Sequence, residues 1–256
     1  RKILENTIVL INLCQNPDGR IANTRDNGNS FDVNRDFITQ SQPETRATVE
    51  QLVRWNPMIF LDLHGHVNPM LIEPCTPPHN PNYEYDLYIK WALAQAEAMG
   101  EAVKANTPYS YQIPYRDSSE GWDDYPPIFT PMYSMYHGAY GHTLETPQRS
   151  SGGVDAHYYA IMAAASFAAE NKLEMFRDQI EIFKRGVVFW DPEDRYPAAY
   201  VIPADCDLQI HPLHAARAVD ALLFNGIEVH RAVQPFTANG ITYPKGTYVV
   251  LMDQPK

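Results

Sequence analysis

The loop NPDGRIANTRDNGNSFDVNRDF (16–37) gathers Arg20, Arg25, Asn34 and Arg35, a set of cationic and amide donors suited to a carboxylate, which an arginine fork can bind bidentately. Asp18, Asp26, Asp32 and Asp36 lie in the same loop and can pair with these arginines instead. Further on, LDLHGH (61–66) offers His64 and His66 as candidate metal ligands, and GHTLETP (141–147) offers Glu145, a carboxylate able to take a proton. A catalytic zinc normally takes three protein ligands, and the strand carrying His64 and His66 supplies at most two.

These groups need elements to place them. Ile8–Leu13 is a continuous apolar run of strand length that ends at the turn formers Asn16-Pro17-Asp18-Gly19, so a buried strand is expected to empty into the arginine loop. A second strand is expected over Ile59, Phe60, Leu61 and Leu63, with alternation setting His64 and His66 on one face. A third runs through Tyr140–Leu144 and closes at Thr146-Pro147, and from that stretch alone Glu145 reads as facing solvent. His142-x-x-Glu145 resembles a metal-binding pair, but residues three apart in an extended chain point to opposite faces.

Helices are predicted over Glu44–Arg54, over Pro81–Lys104 with Tyr85, Ile89, Ala92, Ala96, Met99 and Val103 as its core stripe, and over Asp155–Lys184. The last takes Asp155 as N-cap, carries Ile161, Ala165, Ala168, Phe176, Ile180 and Phe183 on one face, and is either continuous or broken near Asn171, with His157 structural. The tyrosine- and proline-rich stretch 108–140 reads as a long loop lining a pocket. After Gly186 a Pro-punctuated linker leads to a strand at Ala199–Ile202, a helix at Pro212–Phe224 stopped by Asn225-Gly226, and strands at Ile227–Val233 and Thr247–Met252. His211, His214 and His230 read as surface or cap residues. The expected division is therefore 1–186 and a small α/β unit over 187–256.

Taken in order, NPDG, TR, DVNRDF, DLHGH and TLETP resemble the zinc carboxypeptidases of the carboxypeptidase A/B type in their bacterial branch, across roughly residues 5–185. The resemblance implies an α/β fold, a three-layer sandwich around a mixed, mainly parallel sheet, with its site at strand ends. It implies His64 as a zinc ligand, Glu145 as the general base, and Asn34 and Arg35 as the grip on the substrate's terminal carboxylate. Arg25, with Arg20 as the alternative, would stabilise the oxyanion, and Tyr125, with Tyr133 and Tyr136 as rivals, would close over the substrate. The partner is then a peptide with a free C-terminal carboxylate. The family's first two zinc ligands form an H-x-x-E pair upstream of NPDG that this chain does not contain, so 1–186 is expected to be the C-terminal part of a catalytic domain with an incomplete zinc set, and the accessory unit is expected to be truncated too.

A formal charge of −11 and a pI near 5.2 argue against a nucleic-acid or anionic-membrane surface, and no stretch reaches the length of a membrane span. Cys14, Cys75 and Cys206 are odd in number and far apart, Cys14 within the expected first strand, which speaks against a disulfide framework. The sequence itself leaves localisation open; the resemblance suggests a secreted or cell-envelope protein of a bacterium. Two other functions fit the same residues: a carboxylate-binding module without catalysis, and a metal hydrolase built from His64, His66 and Glu145 or His142.

Overall fold

The computed structural model describes residues 2–74, 76, 83–122, 126–188, 196–205 and 207–255, and divides into two compact units, Arg1–Gln179 and Ile180–Lys256. The first is α/β, with strands β1 (Ile59–Gly65), β2 (Met70–Glu73), β3 (Tyr111–Gln112) and β4 (Tyr140–Thr146) in the order β1-β4-β2-β3. β1 pairs parallel with β4 and β2 parallel with β3, while β2 and β4 run antiparallel, which makes the sheet mixed and mainly parallel. β2 is fully buried and β4 is buried over its first five residues, whereas β1 lies at the edge and is half-buried. These burial patterns follow the apolar runs of the sequence.

Helices α1 (Pro17–Ala22), α2 (Pro43–Trp55), α3 (Tyr85–Asn106), α4 (Thr130–Met135) and α5 (Ser151–Val187) complete the order of this unit, and the unit boundary falls within α5. α3 buries Ala92, Ala96, Met99 and Val103, the predicted stripe. Met99 and Val103 meet Met70, Ile72, Leu144 and the alanines Ala156, Ala160 and Ala164 of α5 in one core cluster. Alanines at four-residue spacing let α5 lie close against the sheet. A second cluster gathers Tyr88, Ala92, Phe129, Met132, Met135, Tyr140 and Met175, where the Tyr88 hydroxyl donates to the Gly141 carbonyl at 2.8 Å.

Four expectations are corrected. Ile8–Leu13 forms no strand among the described residues, and Ile8, Ile11 and Leu13 are 80%, 75% and 93% exposed; a strand needs a neighbour for its backbone groups as well as apolar side chains, and β1 pairs only with β4. Cys14 is accordingly exposed. α5 is one continuous helix of 37 residues that starts before Asp155, and it buries its alanines and Met175 while Phe176 and Ile180 are exposed. The stretch 108–140 is not one loop, since it contains β3 and α4.

The second unit contains β5 (Ala199–Ile202), α6 (Pro212–Phe224), β6 (His230–Arg231), β7 (Phe236–Ala238), β8 (Ile241–Tyr243) and β9 (Tyr248–Leu251). β9 lies between β5 and β6, antiparallel to both. β6 is shorter than the predicted Ile227–Val233. The hairpin β7–β8, absent from the sequence expectations, turns on Asn239-Gly240, whose φ angles of 49° and 76° are those of the tight turn that Asn-Gly favours.

Candidate active site

β1 and β4 end side by side, and their parallel register pairs His64 with Glu145 and Asp62 with Thr143. Because side chains two apart share a face, Asp62 and His64 project together, with Asp62 Oδ2 2.7 Å from His64 Nε2. Asn34 Nδ2 reaches the same nitrogen at 3.1 Å. One nitrogen cannot accept from Asn34 and donate to Asp62 at once: the neutral ring with its proton on Nδ1 accepts from Asn34, whereas a ring protonated at Nε2 turns that proton to Asp62. Burial pushes the His64 pKa down, but the charge and hydrogen bond of Asp62 and the charge of Glu145 together carry it above the usual histidine value, against Arg25.

Burial raises the Glu145 pKa above the carboxylate norm; Asp62 adds to the rise, while His64, His66 and Arg25 oppose it. Glu145 is half-buried and so does not stand free in solvent. β1 ends at Gly65, which leaves His66 outside the strand that was to set it beside His64. His142 occupies the opposite face of β4, wholly buried, with Nε2 3.0 Å from the Ala92 carbonyl, and burial brings its pKa down to about 4. It is a core residue. His157 lies on α5; burial lowers its pKa and the nearby His64 adds to that, against the Leu144 backbone.

The arginine loop is fixed to this strand end by its own polar side chains. Asn16 caps α1 by accepting from the Gly19 N–H, and Asn27 accepts from the Asn29 and Phe31 N–H groups while donating to Gln42 and Glu44. Asp36, buried, accepts from Thr39, Ser41 and Gln42; burial pushes its pKa up, but these hydrogen bonds outweigh it and leave it low. Between them the 3-10 turn Val33–Arg35 carries the Asn34 side chain to His64, and Asn34 Oδ1 accepts from the Thr130 N–H at 3.0 Å and its hydroxyl at 2.9 Å. Those two donors orient the amide so that its NH2 faces His64.

Arg25 Nε donates to Asp32 Oδ2 at 2.7 Å, and Arg35 Nη1 donates to the Asn34 carbonyl at 2.9 Å while its guanidinium lies 4.3 Å from the Phe129 ring centre. Arg25 acts electrostatically on both His64 and Glu145, so the structure brings Arg25, Asn34, His64 and Glu145 into one neighbourhood, with Arg35 adjoining through Asn34. Arg20 is exposed on α1. Tyr125 lies outside the described residues. Its rival Tyr133 is buried, with its hydroxyl accepting from Gln40 Nε2 at 3.3 Å.

Sequence reasoning missed Asp62 and Thr130 as members of this neighbourhood, whereas Asp32 was among the four loop acids expected to pair with the arginines and pairs with Arg25. The two-residue spacing of Asp62 from His64 was a usable signal; Thr130 has none, since it reaches Asn34 from far along the chain. Among the described residues no group of three or more His, Cys, Asp or Glu side chains could hold a metal ion. His64 Nε2 faces Asp62, which leaves its other ring nitrogen for a metal, but a catalytic zinc takes three protein ligands and the described residues do not bring three together.

No family model matches the chain, and no curated protein matches it. Among solved structures it is similar to a metallo-carboxypeptidase from Burkholderia cenocepacia, at 19% identity and a TM-score of 0.42 over 62% of this chain and 44% of that one. It is also similar to a chain described as a carboxypeptidase A from Shewanella denitrificans OS-217, at 17% identity and a TM-score of 0.45 over 61% of this chain and 44% of that one. A chain described as a carboxypeptidase from Burkholderia mallei ATCC 23344 matches at 18% identity and a TM-score of 0.41, over 64% of this chain and 43% of that one. The chain thus spans less than half the length of each of these three structures.

Proposed function

We propose that this site grips the terminal carboxylate of a peptide and belongs to a carboxypeptidase that releases the last residue by hydrolysis. The observation that carries this is the meeting of the arginine loop with the strand ends: Asn34 stands 3.1 Å from His64, and His64 is register-paired with Glu145. Arg35 and Asn34 supply donors for the carboxylate, and the Arg25 guanidinium supplies positive charge for a developing oxyanion. Glu145, its pKa raised by burial, takes the proton of the attacking water. The assignment of His64 to zinc rests on the resemblance alone, and none of these steps runs through a metal.

A second function is favoured by the lack of a three-ligand group among the described residues: a carboxylate-binding module without turnover. The test is release of the C-terminal amino acid from an N-acylated dipeptide in the presence of added zinc, for the chain and for Glu145→Gln. Release by the chain that falls by about 10²–10⁴-fold in the variant supports hydrolysis with Glu145 as base. Equal release by both removes Glu145 from the mechanism. No release, together with binding of the free acid in preference to its amide, selects the binding module.

A further inference from the structure

Asp32 stands between Asn34 and Arg35, assigned to the carboxylate grip, and Arg25, assigned to the oxyanion. Its Oδ1 accepts from the Asn34 N–H at 3.1 Å, its Oδ2 accepts from Arg25 Nε at 2.7 Å, and Arg35 Nη1 lies 4.0 Å from the same oxygen. Arg25 is 69% exposed and Arg35 38%, while Asp32 is only 25% exposed, so the carboxylate sits beneath two more open guanidinium groups. Asp32 engages Arg25 through Nε, and among the described residues the Nη groups of Arg25 donate to nothing. The end-on fork of Arg25 is thereby left open while its long side chain is held in place. An arginine forks to a carboxylate either through Nε and one Nη or through both Nη groups, so the second mode remains available.

The charges add up to a specific preference. Immediately around Asp32, two guanidinium groups face one carboxylate, an excess of one positive charge, while Glu145 acts on Arg25 from the strand end. We propose that Asp32 is a specificity-determining residue that matches the grip to one carboxylate and disfavours ligands bringing two negative charges to the same place. This rests on the proposed assignment of Asn34 and Arg35 to the substrate's carboxylate, with the positive charge of Arg25 beside them. Asp32 touches the arginines and not the substrate, so it acts through them. Solvent exposure keeps the effect modest, since ion pairs at such surfaces couple weakly.

The experiment is a calorimetric or NMR titration of the chain with three probes: an N-acetyl dipeptide ending in alanine, its C-terminal amide, and the same peptide ending in aspartate, which carries two carboxylates. Asp32→Asn retains an oxygen for the Asn34 N–H and removes the charge; Asp32→Ser is a second variant with the same property, and circular dichroism of both checks the fold. The expected result is that both variants gain about two- to fivefold for the aspartate peptide relative to the alanine peptide, the size of a surface ion-pair coupling. If the chain prefers acid to amide and the ratio of the two acids is unchanged in the variants, the role of Asp32 is overturned while the carboxylate grip stands. If the chain does not distinguish acid from amide, the grip itself fails and the role of Asp32 falls with it.

Discussion

The Asn34 amide stands 3.1 Å from His64 Nε2 and is held there from behind by the backbone and hydroxyl of Thr130. This one side chain joins a 3-10 turn in the arginine loop, the start of α4 and the end of β1, which are far apart in sequence. Removing it in Asn34→Ala leaves the buried Thr130 donors without their acceptor. A loss of about 1–2 kcal/mol in unfolding free energy is expected, the usual cost of unsatisfied buried donors, and denaturant titration measures it. Weaker binding of free-acid peptides should accompany the loss.

Arg35 is the more enclosed of the two arginines, stacked over Phe129 and bonded to the Asn34 carbonyl. Arg35→Ala is expected to weaken an acylated dipeptide acid by about tenfold, the scale of one charge-assisted contact at a partly exposed site, and to leave the amide unchanged. An equal loss for acid and amide in a binding titration would remove Arg35 from carboxylate recognition.

His142 gives the fold a pH dependence of its own. Burial brings its folded pKa to about 4, below the unfolded value of 6.5, so between these values the unfolded chain binds more protons. Stability from the neutral, buried ring is fully present above the unfolded pKa and is lost as pH falls from 6.5 towards 4, by up to about 3 kcal/mol. Unfolding titrations of the chain and of His142→Gln across this range should show the slope in the first and a flatter profile in the second. Identical slopes would assign the pH dependence elsewhere.

The apolar run before the arginine loop and the core of α3 should respond differently to substitution. Ile11 is 75% exposed, so Ile11→Ser is expected to stay within about 0.5 kcal/mol of the parent. Met99 is fully buried in the main cluster, so Met99→Ala is expected to cost about 2–5 kcal/mol through lost contacts and a cavity. Thermal or denaturant unfolding of the pair checks both. A large cost at Ile11 would mean that the run is packed in solution after all.

Sequence by itself determined the elements whose signals are local. Pro43 starts α2, the stripe Ala92, Ala96, Met99 and Val103 sets the buried face of α3, and the apolar runs ending at His64 and at Glu145 are β1 and β4, because backbone preference and side-chain period act over a few residues. The Asn239-Gly240 turn signal is just as local, although the expected strands left the β7–β8 hairpin out. Tertiary structure decided whatever needed a partner. Ile8–Leu13 has the composition of a strand but no strand beside it among the described residues; α5 turned its alanines inward because only small side chains admit the sheet at close range; and Asp32 and Asp62 differ from the other loop and strand acids only in where the folded chain put arginine and histidine. The pairing of His64 with Glu145 is of this second kind, since register between strands some eighty residues apart is set by the packing of the whole sheet and by no short stretch within it.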